Sequence, residues 1–402
     1  MNIQLIATCP EELQPVLIQE LQELGADQIS PLYKAILFEV DEAKYYKAHL
    51  VLSTASRILK VLKIFKAPVP GTLYGIASKK IPWDEIFSVK QTFRVDGSTE
   101  DRGNRALSSN DISKKVRQGI EDYFANKVGN IPAVDLKEPD LVFVAHMAKQ
   151  KVFLSIESSG KKSLHKRGYR TTSSHEAPLK ETLAAAILRL SGYRGDTVLM
   201  DPMCGSGTIV IEACFLALQK ACNIHRKKGE FGFEQFGDFN SALWRTVQDE
   251  VRLLKRSEID HPIYASDIQE TYVNESRQTA LRARVEKYIQ FSRQSFFDVQ
   301  KPAETGIIVS NLPYGERLNP RDSSGQEADL EDFYKKVGDH LKQQFTGWKA
   351  CLLVQDESPW ESIGLKPSKK IKILNGSIPS KLLIFDLYAG TKKRSLKQGE
   401  DS

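Results

Sequence analysis

Long apolar runs are absent from this 402-residue chain. No stretch approaches the roughly 18 apolar residues that a membrane-spanning helix needs. The N-terminus, MNIQLIATCPEE, lacks a basic segment followed by a long apolar one, so no secretory leader is expected and the cytoplasm is the expected compartment. Cysteine is sparse. Cys9, Cys204, Cys214, Cys222 and Cys351 form an odd set with no C-x-x-C pair, which argues against a disulfide framework and against a zinc site. They read as reduced thiols, and no metal is expected. Repeats and low-complexity tracts are also lacking.

What is present describes a globular protein: 41% hydrophobic and 27% charged residues can bury sizeable cores, and 402 residues suggest two or three of them. A net charge of +6 permits a polyanionic partner without demanding one.

The first 160 residues alternate short strands and helices. A strand, IQLIA, precedes PEELQPVLIQELQELGA, which places Leu13, Leu17, Leu21 and Leu24 on one helical face and stops at Gly25. AILFEV follows as a strand, and YYKAHLVLSTASRILKVLKIF is predicted as a second helix. Further on come a strand (TFRVDGS), a helix (SSNDISKKVRQGIEDYFANKVG) and two strands joined through Lys149 and Gln150 as a hairpin. From Ala177 the pattern changes to helices alternating with long apolar strands, which predicts an α/β domain with a mostly parallel, doubly wound sheet. The last strand, SKLLIFDLYA, follows KKIKILNG too closely for a crossover helix and is expected to insert antiparallel.

The segment VLMDPMCGSGT runs from a buried strand through Gly205 and Gly207 to a helix starting near Thr208. Glycines let backbone approach a ligand, and a helix N-terminus offers unpaired N–H groups. The loop lacks a Walker lysine and the third glycine of a dinucleotide fold, and it carries Asp201, which repels phosphate and attracts a cation. S-adenosylmethionine, with an ammonium and a sulfonium, fits that polarity. Asp267, beside Ile268, ends the next strand, where a carboxylate can take a ribose diol. Asp298, beside Phe297, follows another and suits an adenine. A tight turn with an incidental aspartate explains the first acid alone but not three acids in order after three strands. Asp267 lies 66 positions beyond Asp201, so an insertion intervenes. Its Phe231, Phe233, Phe236, Phe239 and Trp244 are expected in a core rather than stacked on bases.

The apolar run GIIV leads into SNLPYGERL. Proline ends the strand there, leaving Asn311, Leu312, Pro313 and Tyr314 at its tip. Two acceptors, the Asn311 side-chain oxygen and the Leu312 carbonyl, can take the hydrogens of a nucleobase amine while Tyr314 stacks on the base. Arg317 either contacts RNA or pairs with Glu316 or Asp322. SGKKSLHKRGYRTT, between the two halves, gathers Lys161, Lys162, Lys166, Arg167 and Arg170 around Tyr169, as a solvated linker or as a phosphate contact.

Taken together, DPMCGSGT, ASDIQ, SFFDV and NLPYGER, preceded by HKRGYR and HEAPLKETLAAAIL, resemble the THUMP-domain 23S rRNA guanine-N2 methyltransferases over nearly the whole chain. The resemblance implies a Rossmann-like methyltransferase sheet, preceded by an α+β ferredoxin-like and THUMP region, with S-adenosyl-L-methionine as cofactor. The implied organisation is a ferredoxin-like region over 1–66, a THUMP domain over 67–160 and a basic linker over 161–176. A methyltransferase domain over 177–391, with an insertion over 223–260, precedes a tail over 392–402. The resemblance further implies that Asp201, Pro202, Cys204, Gly205, Gly207 and Thr208 line the methionine end of the cofactor. Asp267 and Ile268 would meet the ribose, Phe297 and Asp298 the adenine, and Pro178 to Glu181 would close the pocket. The implied partner is 23S rRNA or a large-subunit assembly intermediate, with no membrane and no obligate protein partner. The commoner Asn-Pro-Pro-Tyr reads Asn-Leu-Pro-Tyr here. Two other readings compete: an adenine-N6 DNA methyltransferase, since the turn serves any exocyclic amine, and an RNA-binding assembly factor with a vestigial pocket.

Overall fold

The computed structural model describes residues 2–67, 69–101, 107–170, 179–313 and 329–388. The chain divides into two units. One comprises Met1–Arg170 with Gln219–Arg256, the other Thr171–Leu218 with Ser257–Ser402.

The first unit is built on one seven-stranded sheet. Its strands are β1 (Ile3–Thr8), β2 (Asp27–Leu32), β3 (Ala35–Val40), β4 (Arg57–Lys66), β5 (Phe93–Thr99), β6 (Leu141–Ala148) and β7 (Lys151–Glu157). They lie in the order β2-β3-β1-β4-β7-β6-β5, with β5 and β6 the one parallel pair. Helices α1 (Gln14–Leu24), α2 (Glu42–Val51), α3 (Pro70–Lys79), the single-turn α4 (Trp83–Ile86) and α5 (Ser109–Lys127) accompany it. As the leucine spacing predicts, α1 buries Leu17, Leu21 and Leu24, and it closes on Gly25 in the left-handed region at φ 73°. The β6–β7 hairpin turns at Lys149 and Gln150, both at positive φ.

The second predicted helix needs correction, because it ends at Val51 and RILKVLKIFK is a central strand. Buried Glu20, on α1, explains the break. Its carboxylate accepts from the backbone N–H groups of Ser53 (2.9 Å) and Thr54 (3.0 Å), fixing a turn that a helix could not make. That partner lies more than thirty residues upstream, beyond the reach of local periodicity.

The second unit carries β8 (Leu199–Asp201), β9 (Ile263–Asp267), β10 (Ile289–Arg293), β11 (Ile307–Asn311), β12 (Lys349–Gln355), β13 (Lys369–Asn375) and β14 (Ile378–Asp386). Their order is β10-β9-β8-β11-β12-β14-β13, parallel except that β14 inserts antiparallel between β12 and β13, as the short connection predicts. Helices α6 (Glu181–Ser191) and α7 (Thr208–Ala217) pack together, α9 (Glu270–Arg282) packs on β9 and β10, and α10 (Leu330–Gln344) buries Phe333, Tyr334, Val337 and Leu341. The order reverses at β8 and β11, the strand pair whose carboxyl ends open a ligand crevice in such sheets.

The insertion belongs to the first unit. Its helix α8 (Ser241–Leu253) packs on α2 and buries Trp244, Val247 and Val251. Phe231, Phe233 and Phe236 join the same core as Tyr45 and Tyr46, so these aromatics are core, as expected, with Phe239 packed against it. Their own spacing does not reveal which core receives them. Arg226 holds the insertion down, donating to the carbonyls of Ser159 (2.8 Å), Lys162 (3.0 Å) and Ser163 (2.6 Å). Among the described residues, no helix is long and apolar enough to cross a membrane.

Candidate functional site

The glycine loop sits at the carboxyl end of β8, where its geometry is fixed by the neighbouring strand. Cys204 N–H donates to the Ser266 carbonyl (3.0 Å), and Gly205 N–H donates to Asp267 Oδ2 (3.1 Å). The other Asp267 oxygen accepts from Gln269 N–H (3.0 Å), so this carboxylate organises two loops at once. Gly207, at φ 83°, is required by packing, since a Cβ there would strike Ser276 on α9. Gly205, at φ 50°, differs: a Cβ there would meet nothing within 4 Å. The space over its backbone is open to a ligand, above Thr208, the first residue of α7.

Asp201, 1% exposed, accepts from the Ser310 hydroxyl (2.7 Å) and from Met203 N–H (3.3 Å). Burial pushes its carboxyl up to about 7; the two hydrogen bonds oppose the rise and nearby Asp267 adds to it. Such an acid gains most from a cation brought beside it. Cys204 is buried, and burial holds its thiol well above the usual range, so it stays a small neutral residue. Pro202 lies in the same buried turn, and Glu181 is buried in the first turn of α6.

The residues expected to meet the adenine, Phe297 and Asp298, lie after β10. Ser295 accepts from Phe297 N–H (3.3 Å) and caps a single turn, Phe296–Asp298, that leaves Asp298 exposed. Phe297 is half-buried and edge-on to Phe333. From α10, His340 Nε2–H donates to the Val299 carbonyl (3.0 Å) while its ring meets Phe296 edge-on, bracing the turn. Burial lowers the His340 pKa, which keeps it a neutral donor. Ile268, beside Asp267, is 38% exposed, an apolar surface a ligand can cover.

At the tip of β11, Leu312 buries its side chain and donates its N–H to the Leu353 carbonyl (3.0 Å), and the Pro313 carbonyl accepts from Tyr334 Oη–H (3.3 Å). The turn is anchored on both sides. Directly before these anchored residues, Asn311 Oδ1 is buried with no hydrogen-bond partner among the described residues. A buried amide oxygen without a donor is costly, and any hydrogen-bond donor brought to it relieves that cost. Tyr314, Arg317 and Pro178 lie outside the described residues.

The basic segment separates into two groups. Lys161, Lys162 and Lys166 are exposed, Lys162 paired with Glu230 (3.1 Å), and Arg170 is half-buried. Arg167 and Tyr169 are buried, contrary to a role as surface RNA contacts. The Arg167 guanidinium donates to the carbonyls of Leu164 (2.7 Å) and Ser53 (2.6 Å), a brace within the unit. Arginine next to a glycine and a tyrosine reads alike in sequence whether it faces inward or outward.

A cavity of about 950 Å³ in the first unit is lined by Tyr45, Tyr46, Lys60, Phe233 and Phe236 and by none of the acidic or glycine residues above. Among the described residues no group of three His, Cys, Asp or Glu is placed to hold a metal. Sequence reasoning missed Ser310 and His340; the one signal for Ser310 was its position directly before Asn311, opposite the Asp201 strand.

Comparison with known proteins bears on the fold and on the family. Residues 167–384 match the RMKL-like methyltransferase domain, 4–59 the RlmL ferredoxin-like domain and 76–157 the THUMP domain. A Synechocystis protein named "Putative RNA methyltransferase slr0064" is 34% identical over 95% of this chain and 96% of its own length. The ribosomal RNA large subunit methyltransferase K/L of Shewanella frigidimarina is 33% identical over 98% of this chain. The chain spans about half of that relative, 54% of its length. The crystal structure of "SMU.472, a putative methyltransferase complexed with SAH" superposes with a TM-score of 0.81 at 26% identity, over 98% of this chain and 99% of its own.

Proposed function

The chain belongs to the RMKL-like methyltransferase family, and from that premise we propose that it methylates the exocyclic N2 amine of a guanine in large-subunit (23S) rRNA, in the cytoplasm. S-adenosyl-L-methionine supplies the electrophilic methyl group on a sulfonium. Asp201 and the open backbone at Gly205 hold its cationic amino-acid end, Asp267 its ribose, and Phe297 with Asp298 its adenine.

The observation that carries the reading is the unpartnered Asn311 oxygen. An exocyclic amine is a weak nucleophile because its lone pair is delocalised into the ring. Asn311 Oδ1 accepts one of its hydrogens, the Leu312 carbonyl the other, and Tyr314 stacks on the base. The lone pair is thereby turned out of conjugation and toward the methyl group. Transfer in line needs positioning and electrostatic support rather than a strong base, and the proton leaves to solvent afterwards. Residues 1–160 deliver the RNA, with Lys161, Lys162 and Lys166 near the boundary holding phosphates.

The turn serves guanine N2 and adenine N6 alike, and the resemblance of the motifs to those of guanine-N2 methyltransferases is what favours guanine. Methylation of rRNA from cells lacking the gene, with labelled cofactor, followed by nucleoside digestion, is expected to place label in N2-methylguanosine. Label in N6-methyladenosine would overturn the assignment. Cofactor binding without transfer to any RNA would favour an assembly factor.

A further inference from the structure

The sheet forks where the site lies. β8 and β11 pair at Leu199 with Ile307 and at Met200 with Ile308, and no further pairing follows. β8 ends at Asp201 while β11 runs on to Asn311, so the strand bearing the cofactor acid and the strand bearing the acceptor turn separate at their functional ends. One side-chain bond spans the fork, from the Ser310 hydroxyl to Asp201 Oδ1 at 2.7 Å. Ser310 is fully buried, so water cannot substitute for it.

We propose that Ser310 is a positioning residue, whose hydroxyl clasps Asp201 across the fork and so couples the aim and charge of the cofactor acid to the placement of the Asn311 turn. This rests on the function proposed above. Asp201 is faced by Asp267 from β9, by Met203 N–H and the neutral Cys204 thiol from its own loop, and by Ser310 from β11. No ion pair to Asp201 occurs among the described residues. With burial and Asp267 both favouring the protonated acid, the Ser310 donation is the larger of two bonds that favour the carboxylate. The same donation fixes Ser310 one residue before Asn311, at a point where β11 is paired with β12 and no longer with β8.

The test is calorimetric binding of S-adenosylhomocysteine, which keeps the ammonium, to wild-type, Ser310→Ala and Ser310→Thr proteins from pH 6 to 8.5, with folding checked by circular dichroism. Ser310→Ala should bind about tenfold more weakly at pH 7, the scale of one hydrogen bond to a charged group, and recover most of that at pH 8.5, where Asp201 is ionised regardless. Ser310→Thr keeps the hydroxyl and should follow the wild-type profile. At saturating cofactor and pH 8.5, single-turnover methylation of rRNA should still be about tenfold slower in Ser310→Ala, because the turn is no longer held. An unchanged binding profile, or a loss equal at every pH, would overturn the clasp. A shifted profile with wild-type turnover would overturn the coupling to the turn. Wild-type protein that binds no S-adenosylhomocysteine would instead refute the proposed function, and this inference with it. Should Ser310→Ala not fold, Ser310→Cys, similar in volume but a weak donor, answers the same questions.

Discussion

The two units bury polar groups to opposite ends. In the first, His49 lies beneath the insertion with its ring fully engaged. Its Nδ1–H donates to the Tyr45 carbonyl (2.9 Å), its Nε2 faces the Ser158 hydroxyl (2.8 Å), and its backbone carbonyl accepts from Asn223 Nδ2 (3.1 Å). In the second, at the β8–β11 fork, Asp201 is partly satisfied and Asn311 Oδ1 is not. An orphaned oxygen alone does not mark a site, since Asn223 Oδ1 inside the first unit also lacks a partner among the described residues. The difference is place. Asn311 ends a strand at the carboxyl edge of a parallel sheet, beside its reversal, where ligands enter.

The sharpest way to break the comparison is to remove a side chain that serves packing alone. Phe233 is fully buried among Tyr45, Tyr46, His49 and Trp244. Phe233→Ala should cost about 3–5 kcal/mol of stability, the range for a large aromatic deleted from a core, and leave cofactor affinity within about twofold. Denaturant unfolding with calorimetry measures both. A large loss of affinity in folded protein would show that the insertion serves the site and not only the core.

Next in size is Asn311→Ala, the opposite case. It removes an oxygen that bonds nothing among the described residues, so stability should hold while turnover falls about a hundredfold, the scale of removing one preorganised hydrogen-bonding group from the transition state. Cofactor affinity should be nearly unchanged. Turnover within about threefold of wild type would remove Asn311 from the mechanism.

The two regions should also differ in the sign of their pH dependence. His49 is lowered to about 3, by burial first and by Arg226 as well, so the folded state refuses a proton that the unfolded chain accepts near 6.5. Its contribution is present above 6.5 and lost as pH falls toward 3, by about 2 kcal/mol at pH 5. Asp201 runs the other way. Raised to about 7, it favours the folded state at low pH and loses that contribution as pH rises from about 4 through 7. His49→Gln should therefore flatten acid destabilisation between pH 6.5 and 5 by about one proton, as urea titrations at several pH values would show. An unchanged slope would mean that His49 is protonated in the folded state.

Much of this was legible from local pattern. The glycine loop, the acids that end β8 and β9 and the antiparallel last strand all follow from residues adjacent in sequence. What escaped depended on distant partners. Glu20 converts a plausible helix into β4 by capping a turn at Ser53 and Thr54, and the insertion's aromatics find their core on α2. Ser310 and His340 act through groups on other strands or turns. Periodicity reports which face of an element is apolar, but not which element will cover it.

The smallest effect on stability is expected at the exposed lysines, and it bears on whether the first unit has a working surface at all. Lys162 lies 3.1 Å from Glu230 with its side chain 62% exposed, so the pair should add well under about 1 kcal/mol to stability. Lys161 and Lys166 are exposed as well. Changing all three to alanine should leave the melting temperature nearly unchanged while weakening rRNA binding. The affinity should also become less dependent on salt, with the slope of log K against log salt falling by up to about 0.7 for each phosphate no longer neutralised. Arg167→Ala should do the reverse, destabilising the fold by leaving the Leu164 and Ser53 carbonyls without their donor, with the salt slope unchanged. Binding assays from low to moderate salt separate the two outcomes. If the triple variant binds rRNA with the wild-type slope, the segment is a solvated linker, and the phosphates must be held elsewhere.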